Sequence, residues 1–239
     1  MEIKGYLPTS LVDWAGKTCS VIFLNRCNFR CRYCHNKDLA KGIESQNLPP
    51  SFVLSKILQK KKWISGVVIT GGEPTLHQDL PELCRDIKYH LNIDIKLDTN
   101  GSNPTRLKLL LDQNLIDKVS MDIKAPLLDD NARYNKICQA NINVYDIEKS
   151  VNIIKDANVD HEFRTTVCPT LLSDEDILKI ACELTCICGR VQEYTIQNFR
   201  PVNTLDPEFE NVKPYSEEKL REIRHKILQN YNIMKCTVK

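Results

Sequence analysis

The chain has 239 residues, of which 42% are hydrophobic and 27% are charged, and its formal net charge is +2. This length suits a single α/β domain spanning residues 1–239, and the near-neutral charge argues against a nucleic-acid or membrane partner. The first residues contain no apolar secretory signal, and no apolar run is long enough to cross a membrane, so we expect a cytoplasmic protein. The eleven cysteines would then be free thiols or metal ligands.

The first predicted strand, over residues 18–24, leads directly into a loop with three cysteines at C-x3-C-x2-C spacing. The loop is Cys27-Asn28-Phe29-Arg30-Cys31-Arg32-Tyr33-Cys34-His35-Asn36. Three thiolates on so short a segment can bind three irons of a [4Fe–4S] cluster, which leaves the fourth iron open to a small molecule. The cysteines could instead be structural thiols, or belong with His35 to a zinc-bound interaction module. Zinc is disfavoured because adjacent ligands are hard to aim at one metal and no second C-x2-C pair follows.

A pair of glycines ends the second predicted strand. A helix over residues 51–61, with Ser51 as its cap, precedes a strand over residues 66–70 that runs into Gly71-Gly72-Glu73-Pro74. Glycines at a strand end let the backbone approach a ligand and offer its N–H and C=O groups. Alone, the pair is more typical of a turn, and the lack of Gly-Lys-Ser/Thr argues against a phosphate loop.

Acidic residues follow the third and fourth predicted strands. A strand over residues 93–97 ends at Asp98-Thr99-Asn100, and a strand over residues 118–121 leads into Asp122-Ile123-Lys124. Between them, Asn103 and Pro104 predict the start of a helix. Consecutive parallel strands end at the same edge of a sheet, so the two acids predict a shared site. Such a site could hold a hard cation or contact a polar ligand.

The last third of the chain continues the alternation of strands and helices. Residues 127–143 are predicted as a polar loop without chemistry, and a fifth strand over residues 161–167 carries Arg164 as its inward polar residue. A capping box at Ser173-x-x-Asp176 begins a helix that runs to Gly189, and a sixth strand over residues 191–196 ends at Gln197-Asn198-Phe199.

Three further cysteines lie on the helix that ends at Gly189. Cys182 and Cys186 share one face, whereas Cys188 is turned away by the helix geometry. We therefore predict ordinary thiols here rather than a second metal site.

The six strands alternate with helices and place polar residues just beyond their carboxyl ends. This pattern predicts an α/β fold with a parallel sheet and a site at the carboxyl edge. Six units suit a partial (β/α)6 barrel, an open version of the TIM barrel, whose active sites lie at that same edge.

The cysteine loop and Gly71-Gly72-Glu73-Pro74 resemble the corresponding segments of the radical S-adenosylmethionine (SAM) enzymes, and the resemblance covers nearly the whole chain. It implies the radical SAM fold, and one [4Fe–4S] cluster per subunit held by Cys27, Cys31 and Cys34. It also implies SAM as a second cofactor, with a monovalent cation as a further candidate ligand. The SAM contacts implied are Tyr33, Gly71, Gly72, Glu73, Asp98, Thr99, Asn100, Asp122, Lys124, Arg164 and Gln197.

Within this group, Asp98-Thr99-Asn100, Asp122-x-Lys124 and Cys34-His35-Asn36 resemble the glycyl-radical-enzyme activases. With the segments over residues 11–17 and 197–199, they are most similar to the anaerobic ribonucleoside-triphosphate reductase activating proteins. The resemblance implies an oxidoreductase that cleaves SAM reductively and takes the α-hydrogen of a glycine in a partner enzyme. The implied partners are an anaerobic ribonucleotide reductase and a flavodoxin or ferredoxin-type electron donor. Asp13, His35 and Asn36 are candidates for contact with the partner's loop.

One departure keeps alternatives open. Pyruvate formate-lyase activases have a histidine at the end of the sixth strand, where this chain offers Gln197 or Asn198. The chain could instead activate a pyruvate formate-lyase-like enzyme. It could also act on a small substrate, as carboxy-deazaguanine synthase-like proteins do.

Overall fold

The computed structural model describes residues 1–129 and 131–239, and its strands form an eight-stranded sheet. The strands are β1 (Ile3–Ser10), β2 (Cys19–Leu24), β3 (Gly66–Gly71), β4 (Asp94–Thr99), β5 (Lys118–Asp122), β6 (Asp160–Val167), β7 (Val191–Asn198) and β8 (Ile233–Val238). The helices are α1 (Lys37–Lys41), α2 (Pro50–Lys60), α3 (Leu80–Arg85), α4 (Pro104–Asp112), α5 (Asn131–Cys138), α6 (Val144–Asp156), α7 (Asp174–Cys188) and α8 (Glu217–Asn230). A π-helical segment, Asp86–Leu91, continues α3.

The strands lie side by side in chain order. β2 to β8 run parallel to one another, whereas β1 pairs antiparallel with β2. Parallel neighbours need crossover connections, which the helices supply. The sheet ends at β1 on one side and at β8 on the other, so it stays open. The predicted parallel α/β sheet is confirmed, and its seven parallel strands share one carboxyl edge.

Two strands and two helices, the short α1 and α5, lie where the sequence pattern predicted none. β1 contains Gly5 and Pro8, which are depleted in strands, but a proline is tolerated in a strand at the edge of a sheet. β8 carries exposed Met234 and Lys235 and follows α8 closely. The prediction of a polar loop over residues 127–143 is wrong because α5 lies there and buries Tyr134, Ile137 and Cys138. Asp130, within that predicted loop, lies outside the described residues.

The helix starts follow the predicted caps in two of three cases. The Asn103 side chain accepts a hydrogen bond from the backbone N–H of Arg106 (3.1 Å), and Ser173 forms its capping box with Asp176. The predicted cap at Ser51 is wrong, because α2 already begins at Pro50 and includes Ser51. Proline at the first helical position needs no hydrogen-bond partner for its nitrogen, so it can start the helix instead.

The two faces of the sheet differ in polarity because successive side chains of a strand point to opposite faces. One face is apolar and buried, with Val67, Ile69, Ile95, Leu97, Val119 and Met121. The other carries polar contacts between strands: Ser120 and Thr195 both donate hydrogen bonds to buried Glu162 (2.9 and 2.5 Å). The polar residues of this face continue to the carboxyl edge of the sheet. None of the helices in the described ranges is long and apolar enough to cross a membrane.

Candidate functional site

A cavity of about 250 Å³ opens at the carboxyl edge of the sheet. Its lining includes every residue predicted for the cluster and for SAM, although these residues come from five strands or the segments that follow them, β3 to β7, and from the cysteine loop. They are Cys27, Cys31, Tyr33, Cys34, Gly71, Gly72, Glu73, Asp98, Thr99, Asn100, Asp122, Lys124, Arg164 and Gln197. Asn36 also lines this cavity, and its side-chain amide donates to the carbonyl of Gly71 (3.1 Å).

The cysteine loop holds its shape through backbone contacts. The N–H of Cys34 donates to the carbonyl of Cys31 (2.9 Å), and the N–H of Cys27 donates to the carbonyl of Ala40 in α1 (3.3 Å). The Arg30 guanidinium donates to the carbonyls of Cys27 and Phe29 (2.5 and 2.8 Å). Each of the eleven cysteines is a free thiol. Three unpaired thiols therefore face one cavity.

Burial sets the protonation of two of these thiols. It raises the pKa of the Cys27 thiol to about 12 and also raises the pKa of the Cys34 thiol. Both thiols therefore carry protons at neutral pH, and binding of iron has to release them. Among the described residues, no three His, Cys, Asp or Glu side chains are grouped closely enough to hold a single metal ion.

The glycine pair brings β3 against the cysteine loop. A Cβ on Gly71, whose φ is +120°, would lie 2.3 Å from the carbonyl oxygen of Leu24, and a Cβ on Gly72 would lie 1.9 Å from that of Arg26. The backbone N–H of Gly72 donates to Leu24 (2.9 Å), and the N–H of Glu73 donates to Arg26 (2.8 Å). Only glycine fits at such distances, so the pair fixes β3 to the start of the cysteine loop.

The Glu73 carboxylate ties together the ends of β3 and β4. It is 1% exposed and accepts hydrogen bonds from the N–H and the hydroxyl of Thr75 (3.0 and 2.6 Å), the hydroxyl of Thr99 (2.8 Å) and the N–H of Asn100 (2.7 Å). Three of these donors share Oε1, whereas Oε2 accepts only the bond from Asn100 within the described contacts. Oε2 is therefore the oxygen that retains capacity for a ligand.

Asp98 and Asp122 share one guanidinium. Arg164 donates to Asp122 (2.8 Å) and to Asp98 (3.2 Å), while Lys124 pairs with Asp122 (2.8 Å) and Lys96 with Asp98 (3.0 Å). Burial alone would raise the pKa of Asp122, but Arg164 and Lys124 lower it to about 2. Burial alone would also raise the pKa of Asp98, but Arg164 and Lys96 lower it below its ordinary value. Both carboxylates are ionised at neutral pH, and the five groups together carry one net positive charge.

A buried hydroxyl in the cavity wall has no partner. Tyr33 is 5% exposed, and within the described ranges its hydroxyl has no hydrogen-bond partner. Lys124 lies 5.9 Å from the centre of its ring. A buried polar atom without a partner is costly in a protein, and a bound polar molecule can satisfy it. With three free thiols and a glycine-lined wall, the residues present fit a thiolate-held cluster beside a small polar cofactor.

A second cavity, of about 390 Å³, continues from the first. The two share Asp98, Arg164 and Gln197, and the second is also lined by Val12, Asp13, His35, Lys96, Thr166, Asn198, Arg200 and Lys239. Asp13 and His35, the other two candidates for partner contact, therefore line this second cavity and not the first. The His35 ring contacts the carbonyl of Val202 (2.8 Å), which fixes its position at this opening.

Lys96 and Cys138 contact the site but were missed by the sequence interpretation. Buried Lys96 donates to the carbonyl of Asp13 (2.6 Å), and the alternation of β4 could have placed it on the face of Asp98. Buried Cys138 lies at the end of α5, and its carbonyl accepts from the N–H of Arg30 (2.7 Å). The only sequence signal for Cys138 is the helical spacing of α5.

The cysteines of α7 are arranged as predicted. The thiols of Cys182, which is half-buried, and Cys186, which is exposed, contact each other on one face of the helix. Cys188 is half-buried elsewhere, against the main hydrophobic core.

Comparison with known proteins shows which family the chain belongs to. Residues 21–182 match the model of the Radical SAM superfamily. A protein of Methanocaldococcus jannaschii whose name proposes a glycyl-radical enzyme activating enzyme is 32% identical, over 96% of this chain and 92% of its own length. Another protein of that organism, whose name proposes a GTP 3′,8-cyclase, is 30% identical over 56% of this chain and 42% of its own length.

Solved structures agree at the level of the fold. A radical SAM methyltransferase from Sphaerobacter thermophilus superposes with a TM-score of 0.73 at 14% sequence identity, covering 95% of this chain and 67% of its own. With the matched family model and the shared architecture, the chain belongs to the radical SAM superfamily, whose cofactors are a [4Fe–4S] cluster and SAM.

Proposed function

We propose that this protein is a glycyl-radical-enzyme activase, which abstracts the α-hydrogen of a glycine in a partner protein. The observation that carries the proposal is the similarity to the Methanocaldococcus jannaschii relative, which extends over nearly the full length of both chains. An anaerobic ribonucleotide reductase is the partner we propose. A flavodoxin or ferredoxin-type protein is the electron donor.

In this proposal Cys27, Cys31 and Cys34 hold the cluster, which when bound supplies an electron to the sulfonium of SAM. The backbone of Gly71 and Gly72 lines the cavity, and the absence of a Cβ lets it pack against the start of the cysteine loop. The ionised carboxylates of Asp98 and Asp122 are aimed by Arg164, so they can accept hydrogen bonds without moving when the ligand binds. Pre-oriented charged groups avoid the reorganisation that water would require.

The remaining predicted SAM contacts complete the wall of the cavity. Asn100 donates to the thiol of Cys27 (3.8 Å) and to the side chain of Asn28 (2.9 Å), so it joins the end of β4 to the cysteine loop. Lys124 carries its charge close to the Tyr33 ring. Gln197 stands where the two cavities meet, and we propose that it contacts both SAM and the reacting segment of the partner. A monovalent cation beside Asp98 and Asp122 would share their carboxylates with Arg164.

The second cavity is the place we propose for the partner's loop. It opens from the SAM region to the outside past Asp13, His35 and Arg200, and Val12 at its rim is 82% exposed. An entering peptide segment would cover this rim and exclude water from the reacting atoms. A glycine suits such a reaction because its backbone α-carbon can approach without a side chain.

A small substrate is the second candidate. Lys96, Arg164, Arg200 and Lys239 all line the second cavity, and four cations facing two carboxylates would suit an anionic molecule. The similarity to the cyclase of Methanocaldococcus jannaschii also favours this reading, although it covers little more than half of this chain.

Electron paramagnetic resonance on anaerobic mixtures of this protein, SAM, a reductant and the candidate reductase tests the proposal. We expect a doublet signal that collapses when glycine deuterated at Cα is incorporated into the reductase. A matched sample whose reductase carries alanine in place of the target glycine should show no doublet. Robust SAM cleavage without a protein radical, with each glycyl-radical enzyme of the source organism, would refute the proposal and favour the small substrate.

A further inference from the structure

A fourth cysteine lies against the cluster loop without lining the cavity. Cys138 is fully buried at the last position of α5, and its carbonyl accepts a hydrogen bond from the N–H of Arg30 (2.7 Å). Arg30 lies next to Cys31, so this bond brings the Cys138 side chain beside the loop. The Cys138 thiol lies near enough to the Cys31 thiol to lower its pKa.

The helix that carries Cys138 is anchored on both sides of this contact. The Tyr134 hydroxyl, one turn earlier, accepts a hydrogen bond from the backbone N–H of Lys124 (2.9 Å). Asn135 accepts from the N–H of Ile142 (2.7 Å), which fixes the segment that follows the helix. The position of the Cys138 thiol is therefore set by β5 and by the cysteine loop together.

The placement of Cys138 argues against a role as a fourth iron ligand. Cys27, Cys31 and Cys34 line the first cavity, but Cys138 is not among the described residues that do so. A fourth ligand would have to reach the side of the cluster that faces SAM. Cys138 instead lies outside this lining, so its thiol can contact the Cys31 sulfur but not the open iron.

We propose that Cys138 is a positioning residue whose S–H group donates a hydrogen bond to the Cys31 sulfur and thereby raises the reduction potential of the cluster. A ligand thiolate carries no proton, so in this pair only Cys138 can donate. Reduction adds negative charge to the cluster and its sulfurs, which strengthens the bond and favours the reduced state. Hydrogen bonds to the sulfurs are among the features that set the potentials of iron–sulfur clusters. The inference rests on the cluster of the superfamily and does not depend on the identity of the partner.

The test is a redox titration of the reconstituted protein without SAM or partner, followed by the electron paramagnetic resonance signal of the reduced cluster. We expect Cys138→Ala to retain four irons and to have a lower midpoint potential. The ratio of reduced to oxidised cluster at a fixed potential should fall by up to about tenfold, which corresponds to 59 mV for one electron. Cys138→Ser retains an O–H donor and should lie closer to the wild-type potential than Cys138→Ala.

The matched control is Cys84→Ala, which removes an equally buried thiol from α3. It should leave the potential unchanged. A wild-type potential in Cys138→Ala, or an equal shift in Cys84→Ala, would overturn the proposal. Loss of iron from Cys138→Ala would also overturn it, because that result would make Cys138 necessary for holding the cluster. Failure to detect a glycyl radical on any partner would leave the proposal on Cys138 intact.

Discussion

Replacement of Asp122 by asparagine should reveal how much its ion pairs contribute to folding. The carboxyl has a pKa of about 2, against an ordinary value of 3.8, because Arg164 and Lys124 outweigh the effect of burial. At 1.36 kcal/mol per pKa unit, this difference corresponds to roughly 2–3 kcal/mol of stability. Because the pKa is lowered in the folded state, this contribution is fully present above about pH 4. It is lost as the pH falls from about 4 towards 2.

Urea unfolding of the cluster-free Asp122→Asn and wild-type proteins, followed by circular dichroism, measures this contribution. We expect their unfolding free energies to differ by roughly 2–3 kcal/mol between pH 5 and 7 and to converge as the pH is lowered to 3 and below. The control is Asp112→Asn, which breaks the exposed pair with Lys108 and should cost about 0.3–0.5 kcal/mol. A difference that stays constant with pH, or one as small as that of the control, would refute the ion-pair argument.

Three further outcomes are expected for the cofactor site. Cys31→Ala should abolish the cluster, whereas Cys186→Ala should retain four irons, as counted by iron and sulfide analysis; loss of iron in the second would contradict the assignment. Gly72→Ala should prevent cluster reconstitution because its Cβ would overlap the Arg26 carbonyl, while Gly16→Ala, whose Cβ meets open space but whose φ of +81° strains the backbone, should lose some stability and still reconstitute. Asp98→Ala should keep the cluster but weaken SAM binding at least tenfold by titration, because a hydrogen bond to a charged group contributes about 1.5–3 kcal/mol; wild-type affinity would remove Asp98 from the binding site.

The site was easier to predict than the edges of the sheet. The cysteine loop, the glycine pair and the acidic strand ends are local patterns, and parallel strand order brings such ends together at one edge. Their convergence in one cavity follows from that topology. The sequence pattern could place Arg164 on the inward face of β6. It could not predict that its guanidinium would pair with both Asp98 and Asp122.

The missed elements have a common cause. β1 and β8 each have a neighbour on one side, so their sequences tolerate proline, glycine and exposed polar residues that a central strand excludes. Half of the eight residues of α5 are Asn, Arg or Lys, as is common in a loop, and its short buried face packs against the cysteine loop. Tertiary contacts of this kind override local propensity.

The bonds that shape the cysteine loop have a consequence for how the protein matures. The loop is held by β3 through Leu24 and Arg26, by α1 through Ala40 and by α5 through Cys138, and each of these bonds joins two backbone groups. Because none of these bonds involves iron, they can form before any metal arrives. The cluster would then be inserted late, into a cysteine loop that already has its shape. A chain that has lost its cluster to oxygen could accept a replacement without first unfolding.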